Sequence, residues 1–119
     1  AIRAAIQWVE AYSSWEETLI IVTADHETGH LTGSDHPQNI NSPVLNQGKG
    51  RLPAARFHSE DHTNSLVPFY AKGSGQELFN TVAGGYDPVR GAFLQNVQVP
   101  QVIFLMWGKP QVIVHRQTR

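Results

Sequence analysis

The segment Thr18-Leu19-Ile20-Ile21-Val22-Thr23-Ala24 limits what this chain can fold into more than any other. It is short, rich in β-branched residues and apolar on both faces. Such a run suits a strand buried on both sides, as in a parallel sheet. Before it, Ile2, Ala5, Ile6, Val9 and Tyr12 follow the stripe of an amphipathic helix. A helix followed by a buried strand is half of an α/β unit. The fold class expected is therefore α/β, with helices on a mostly parallel sheet.

Residues 33–64 change character. Their apolar members are Ile40, Val44, Leu45, Leu52, Ala54, Ala55 and Phe57, scattered among Pro37, Pro43, Pro53, Gly48 and Gly50. This reads as a long excursion with little regular structure, and such loops are commonly functional. Leu66–Ala71 resumes a strand-like run, demoted to an edge by Pro68. Gly73-Ser74-Gly75 predicts a turn, Gln76–Val82 a short helix, and Gly84-Gly85 with Asp87-Pro88 another loop. Val102–Trp107 is apolar all round. Pro100 suits the first turn of a helix there, and Gly108 with Pro110 ends it. Gln111–His115 reads as a last short strand. Trp8, Trp15 and Trp107 read as packing residues, and His36, His58 and His115 as loop or surface polar groups.

A length of 119 residues suits one domain, and 40% hydrophobic residues supply core material beyond what a disordered chain carries. The formal net charge of −1 gives no footprint for nucleic acid or an anionic membrane. No cysteine is present, which excludes thiol catalysis, disulfide scaffolds and cysteine zinc sites. The apolar runs Leu19–Val22 and Val102–Trp107 are far shorter than the roughly 20 residues of a membrane span. The chain has no initiator Met and opens inside a helical pattern, so it reads as a segment of something longer.

The chemistry concentrates in Asp25-His26-Glu27-Thr28-Gly29-His30, directly after the buried strand. Ligands in open α/β sheets bind beyond the carboxyl ends of strands. Carboxylate oxygen and imidazole nitrogen there suit zinc, at about 2.0–2.2 Å. Asp61-His62-Thr63-Asn64 forms a second site where the excursion rejoins the next strand, so His62 can return to the same sheet end. A competing motif overlaps the first. Residues His26 to His36 fit H-E-x-x-H-x-x-G-x-x-H, which resembles the zinc signature of the metzincin proteases, with Met106 as a Met-turn. That chemistry needs His26 and His30 on one helical face and Glu27 as general base. Thr28, Gly29 and the β-branched run before them argue against a helix.

Three stretches together carry a wider resemblance: TLIIVTADHETG at 18–29, HTNSLVPFYAKGSG at 62–75 and DPVRGAF at 87–93. They resemble the C-terminal third of the alkaline phosphatases, in the bacterial branch that pairs ADHETG with HTN. The resemblance implies the C-terminal part of an α/β sandwich, with 33–64 as a crown-like insertion in a segment spanning 1–119. It implies phosphomonoester hydrolysis through a covalent phosphoserine, two zinc ions roughly 4 Å apart, and a nearby magnesium. Asp25 and His26 match the pair that ligates the zinc activating the nucleophile. His62 matches the histidine on the zinc that activates the attacking water. Thr63 and Asn64 match groups that orient ligands. Glu27, Thr28 and Gly29 belong to the motif without being ligands and are expected to set the turn.

The family's nucleophilic Ser, its Asp-x-x-x-His zinc pair, its magnesium ligands and its phosphate-gripping Arg lie upstream of Ala1. No catalytic residue is therefore expected within 1–119, and the segment alone is expected to be inactive. The implied partners are a phosphomonoester, phosphate and the rest of the phosphatase chain, with a homodimer left open. The implied location is periplasmic or extracellular. A non-catalytic metal-binding module that reuses the fold is a further alternative.

Overall fold

The computed structural model describes residues 1–33 and 42–108. The apolar stripe forms helix α1 (Ile2–Tyr12), with Val9 buried. The helix stops at Ser13, whose extended backbone breaks the spiral while its amide still donates to the Val9 carbonyl at 2.9 Å. The hydroxyls of Ser13 and Thr18 share a 2.8 Å hydrogen bond. That bond ties the helix end to the start of strand β1 (Leu19–Val22).

Contacts divide the chain into two units, Ala1–Thr23 with Phe69–Arg119, and Ala24–Pro68. In the first, β1 pairs antiparallel with a strand at Tyr70–Gly73, Leu19 facing Gly73 and Val22 facing Tyr70. Gly73 takes φ +112°, and a Cβ there would strike the Thr18 carbonyl, so this end of the ladder requires glycine. Beside it the Lys72 ammonium sits 4.2 Å from the centre of the Trp15 ring.

This pairing corrects the expectation of a mostly parallel sheet. The molecule mixes helices with small sheets, but every sheet of the described residues is a two-stranded antiparallel pair. The apolar character of Leu19–Val22 predicted burial on both faces, whereas all four residues are only half-buried. It carries no information on strand direction. The strand expected over 66–71 also shifts, because the ladder starts at Tyr70, beyond Pro68, which has no amide hydrogen to give.

Ala24–Pro68 contains the excursion and has short pairings of its own. They involve β2 (Glu27–Thr28), β3 (Thr32–Gly33), β4 (Ala55–Arg56) and β5 (His62–Thr63). β2 pairs with β5, β3 pairs with β4, and Leu45 bridges Ala54. The strand Tyr70–Gly73 is thus β6.

Beyond β6 a turn leads to helix α2 (Leu78–Val82). Gly84-Gly85 and Asp87-Pro88, expected to mark a loop, instead flank or join a hairpin of β7 (Gly85–Asp87) and β8 (Gly91–Phe93). Helix α3 (Gln98–Met106) has Pro100 in its first turn, as expected, and starts ahead of the apolar run from Val102. The Gln98 side chain explains the earlier start. Its Oε1 accepts the Gln95 amide at 2.6 Å, and its Nε2 donates to the Val82 carbonyl. α2 and α3 pack together.

The buried apolar side chains of the described residues are Val9, Phe79 and Val102. Trp8 and Trp107, expected to be packing residues, are 57% and 67% exposed. The strand expected over 111–115, Pro110, His36 and His115 lie outside the described residues.

Candidate functional site

Strand β2 meets β5 in a register that sets Thr28 opposite His62 and Glu27 opposite Thr63. Side chains alternate along a strand, and opposite residues share a face. His26, two residues before Thr28, joins Thr28 and His62 on one side. Glu27 and Thr63 take the other. The ring centroids of His26 and His62 come to 3.9 Å. The Thr28 hydroxyl lies between them, 3.3 Å from His26 Nδ1 and 3.1 Å from His62 Nδ1.

Each histidine follows an aspartate that accepts its backbone amide. Asp25 Oδ1 takes the His26 amide at 3.0 Å, and Asp61 Oδ1 takes that of His62 at 2.7 Å. Asp25 Oδ2 also stands 3.5 Å from His26 Nε2. The structure thus places Asp25 against His26 and His26 against His62. The cluster is open to solvent, the Asp25 side chain being 87% exposed and that of His26 43%.

On the other face, the Thr63 hydroxyl donates to Glu27 Oε2, and the Leu31 amide donates to Glu27 Oε1 at 3.2 Å. The Thr63 hydroxyl bond is the main reason the Glu27 carboxyl is held below its ordinary pKa, with the Leu31 amide adding to the effect. Glu27 is thereby a clip joining β2, β5 and the turn between β2 and β3, in keeping with a motif residue that sets the turn. Thr63, expected to orient a metal ligand, supplies the hydroxyl of this clip. Asn64 is exposed.

Gly29 anchors the turn. Its amide donates to the Asp61 carbonyl at 3.0 Å, and its own carbonyl accepts the amides of His58 and Ser59 at 2.9 and 3.1 Å. Gly29 takes φ +82° with the Phe57 ring where a Cβ would stand, so a side chain is disfavoured twice over. His30 follows with φ +48°. Its ring lies 5.9 Å from that of His58, whose Nε2 is 2.8 Å from the Thr32 hydroxyl. His30 thus belongs with His58, not with the His26–His62 pair. Residues 27–28 and 32–33 are strands, so His26 and His30 do not share the helical face that the protease motif needs.

Two imidazoles and a carboxylate are the right kinds of donor for zinc. Among the described residues, however, no group of three His, Asp or Glu side chains is arranged to hold a metal ion. Asp25, His26 and His62 therefore fit a metal in kind and fall short of a closed site. Sequence reasoning missed Thr28 as part of the cluster. Its spacing of two from His26 was visible, but its place opposite His62 depends on a pairing between segments far apart in the chain.

Comparison with protein-family models, with curated proteins and with solved structures finds no match for this chain.

Proposed function

We propose that this chain is the C-terminal segment of an alkaline phosphatase-type enzyme, a metal-dependent phosphomonoesterase, and supplies part of a two-zinc site. The observation that carries the reading is the approach of the His26 and His62 rings to 3.9 Å with Asp25 beside His26. It unites the two separated motifs on which the resemblance rests.

In this reading Asp25 and His26 would hold the zinc nearest the nucleophile, and His62 the zinc nearest the attacking water. When bound, the ions supply Lewis-acid stabilisation of the attacking and leaving oxygens. Glu27 and Thr63 keep β2 and β5 in register, so that the imidazoles stay together. The nucleophilic Ser, the remaining zinc ligands and the magnesium ligands would belong to polypeptide upstream of Ala1. The substrate is a phosphomonoester, the product phosphate, and the setting periplasmic or extracellular. No helix among the described residues is long and apolar enough to cross a membrane.

A catalytic zinc normally has three protein ligands and an open position. One imidazole for the second ion is too few, so the segment alone should not turn over. The test is hydrolysis of an aromatic phosphomonoester, and of casein, with zinc and magnesium added. The chain alone should be inactive on both. Adding a polypeptide that bears the Ser and the Asp-x-x-x-His pair should restore phosphatase activity only. Turnover by the chain alone on the order of 1 per second, abolished by His62→Ala, would overturn the reading, and so would cleavage of casein.

A further inference from the structure

The formal net charge of −1 averages over charges that are unevenly spread. Residues 42–59 contain Lys49, Arg51 and Arg56 and no Asp or Glu, a local charge of +3. The rest of the chain sets its other six cations against all 10 carboxylates, a net −4. The three cations belong to a hairpin. Leu45 and Ala54 exchange both backbone hydrogen bonds, at 3.2 and 2.9 Å. Between them Asn46 Oδ1 accepts the Gly48 amide at 2.8 Å, and the Gly48 carbonyl accepts the Arg51 amide at 3.2 Å. Gly48 and Gly50 take φ +97° and +79°, and a Cβ on either would meet nothing within 4 Å. Nothing therefore packs on the tip, where Lys49 stands between the two glycines.

Lys49, Arg51 and Arg56 are exposed, and among the described residues no carboxylate pairs with any of them. Leu52, next to Arg51, is 87% exposed, the most exposed large apolar side chain of the described residues. Val44 and Leu45 at the base of the hairpin are exposed as well. We propose that the 45–54 hairpin is a docking finger for an anionic lipid bilayer. Leu52 enters the headgroup region, and Lys49, Arg51 and Arg56 meet lipid phosphates. Long cationic side chains lie along apolar surface and keep their charged ends at the interface, which lets them flank an inserted leucine. Each cation near an anionic leaflet adds to the attraction. A peptide ligand would need a groove, whereas this feature projects and fits a deformable surface. Nucleic acid binding rests on many phosphate contacts, and there Leu52 would stay in water. The negative remainder of the chain is repelled by an anionic surface, so the finger is the part that approaches it.

The test uses the whole 119-residue chain. Binding of this kind is weak and reversible, so sedimentation with vesicles is run at millimolar lipid. Vesicles of equal parts phosphatidylglycerol and phosphatidylcholine should carry the chain down, and vesicles of phosphatidylcholine alone should not. Lys49→Gln combined with Arg51→Gln should weaken binding about 25-fold, or about fivefold per cation. Leu52→Ser should weaken it about tenfold. Salt at about 1 M should release the chain, because it screens charges beyond about 3 Å. All three positions are exposed, so these changes leave the fold intact. The chain has no cysteine, so Leu52→Cys gives a single attachment point for a polarity-sensitive dye. Its emission should shift to the blue on anionic vesicles, while the same dye on Gln7→Cys, exposed on α1, should not shift.

Equal binding to both kinds of vesicle would overturn the proposal. So would binding that the Lys49 and Arg51 changes or the Leu52 change leave intact. A dye at position 52 that stays in water, on vesicles that carry the chain down, would overturn the insertion of Leu52. No sedimentation with anionic vesicles overturns the proposal outright. Capture by polyglutamate or by duplex DNA in that case would assign the cations to an acidic polymer instead.

Discussion

At Asp87, one carboxylate oxygen accepts the amides of Arg90 at 2.7 Å and Val89 at 2.9 Å. These bonds, that to Arg90 first, favour the charged form and hold the carboxyl below the ordinary aspartate pKa. The folded hairpin thus binds fewer protons at Asp87 than the unfolded chain does over the acid range. Its stabilising effect is complete above the unfolded pKa and fades as pH falls through the lowered folded one. Carbon NMR of the carboxyl group should give a midpoint below that of an unstructured aspartate. Protection of the Val89 and Arg90 amides should fall with it. A midpoint at or above the unstructured value would remove Asp87 from this role. The same habit, a short acidic side chain serving nearby amides, recurs at Asp25 and Asp61, where it fixes the backbone entering each histidine.

Among the elements, α3 offers the clearest contrast between buried and exposed positions. Val102 is fully buried, whereas Val97, just before the helix, is 58% exposed. Val102→Ala removes two methyl groups and leaves a cavity, and should destabilise the chain by about 2 kcal/mol. Val97→Ala should change stability by less than about 0.5 kcal/mol. Denaturant midpoints of the two variants check this, and equal shifts would show that the α2–α3 packing does not form a core. The elements also show what could be read from the chain. Helix α1 was legible because Ile2, Ile6 and Val9 repeat at helical spacing, and β1 because Leu19–Val22 is a β-branched run between polar residues. The β7–β8 hairpin was not, since its strands are three residues each and carry no alternation to detect. Asp25, His26 and His62 stood out as candidates through their chemistry and their places beside strands. Their mutual arrangement, like the Glu27 clip, required the β2–β5 register, which no local pattern encodes.

At the scale of the whole molecule, the two units differ in what holds them. Ala1–Thr23 with Phe69–Arg119 contains the four-residue β1–β6 ladder and the buried side chains Val9, Phe79 and Val102. Ala24–Pro68 relies on two-residue pairings and the Glu27 and Gly29 hydrogen bonds, with Thr32 as its buried polar residue. Short pairings near solvent open easily. In native-state hydrogen exchange, amides of β1 and β6 should therefore exchange markedly more slowly than those of β2 and β5. Equal protection in both would mean that the chain opens as one cooperative body. The comparison matters for the candidate site, because His26, Thr28 and His62 all lie in the unit expected to open first.

The half-buried strand β1 has one more consequence, for the handling of the polypeptide. Leu-Ile-Ile-Val carries no charge, no proline and no glycine, and segments of that kind recruit copies of themselves into stacked fibrils when they are uncovered. Opposite it, Lys72 faces Ile20 and places a charge next to the run, the usual safeguard against such stacking. Refolding yield should then be a contest of concentrations. A dilute chain closes β1 onto its own Tyr70–Gly73, while a crowded one offers it to its neighbours. Storage life, and the fraction recovered after dilution from denaturant, are properties of those four residues as much as of the imidazole cluster.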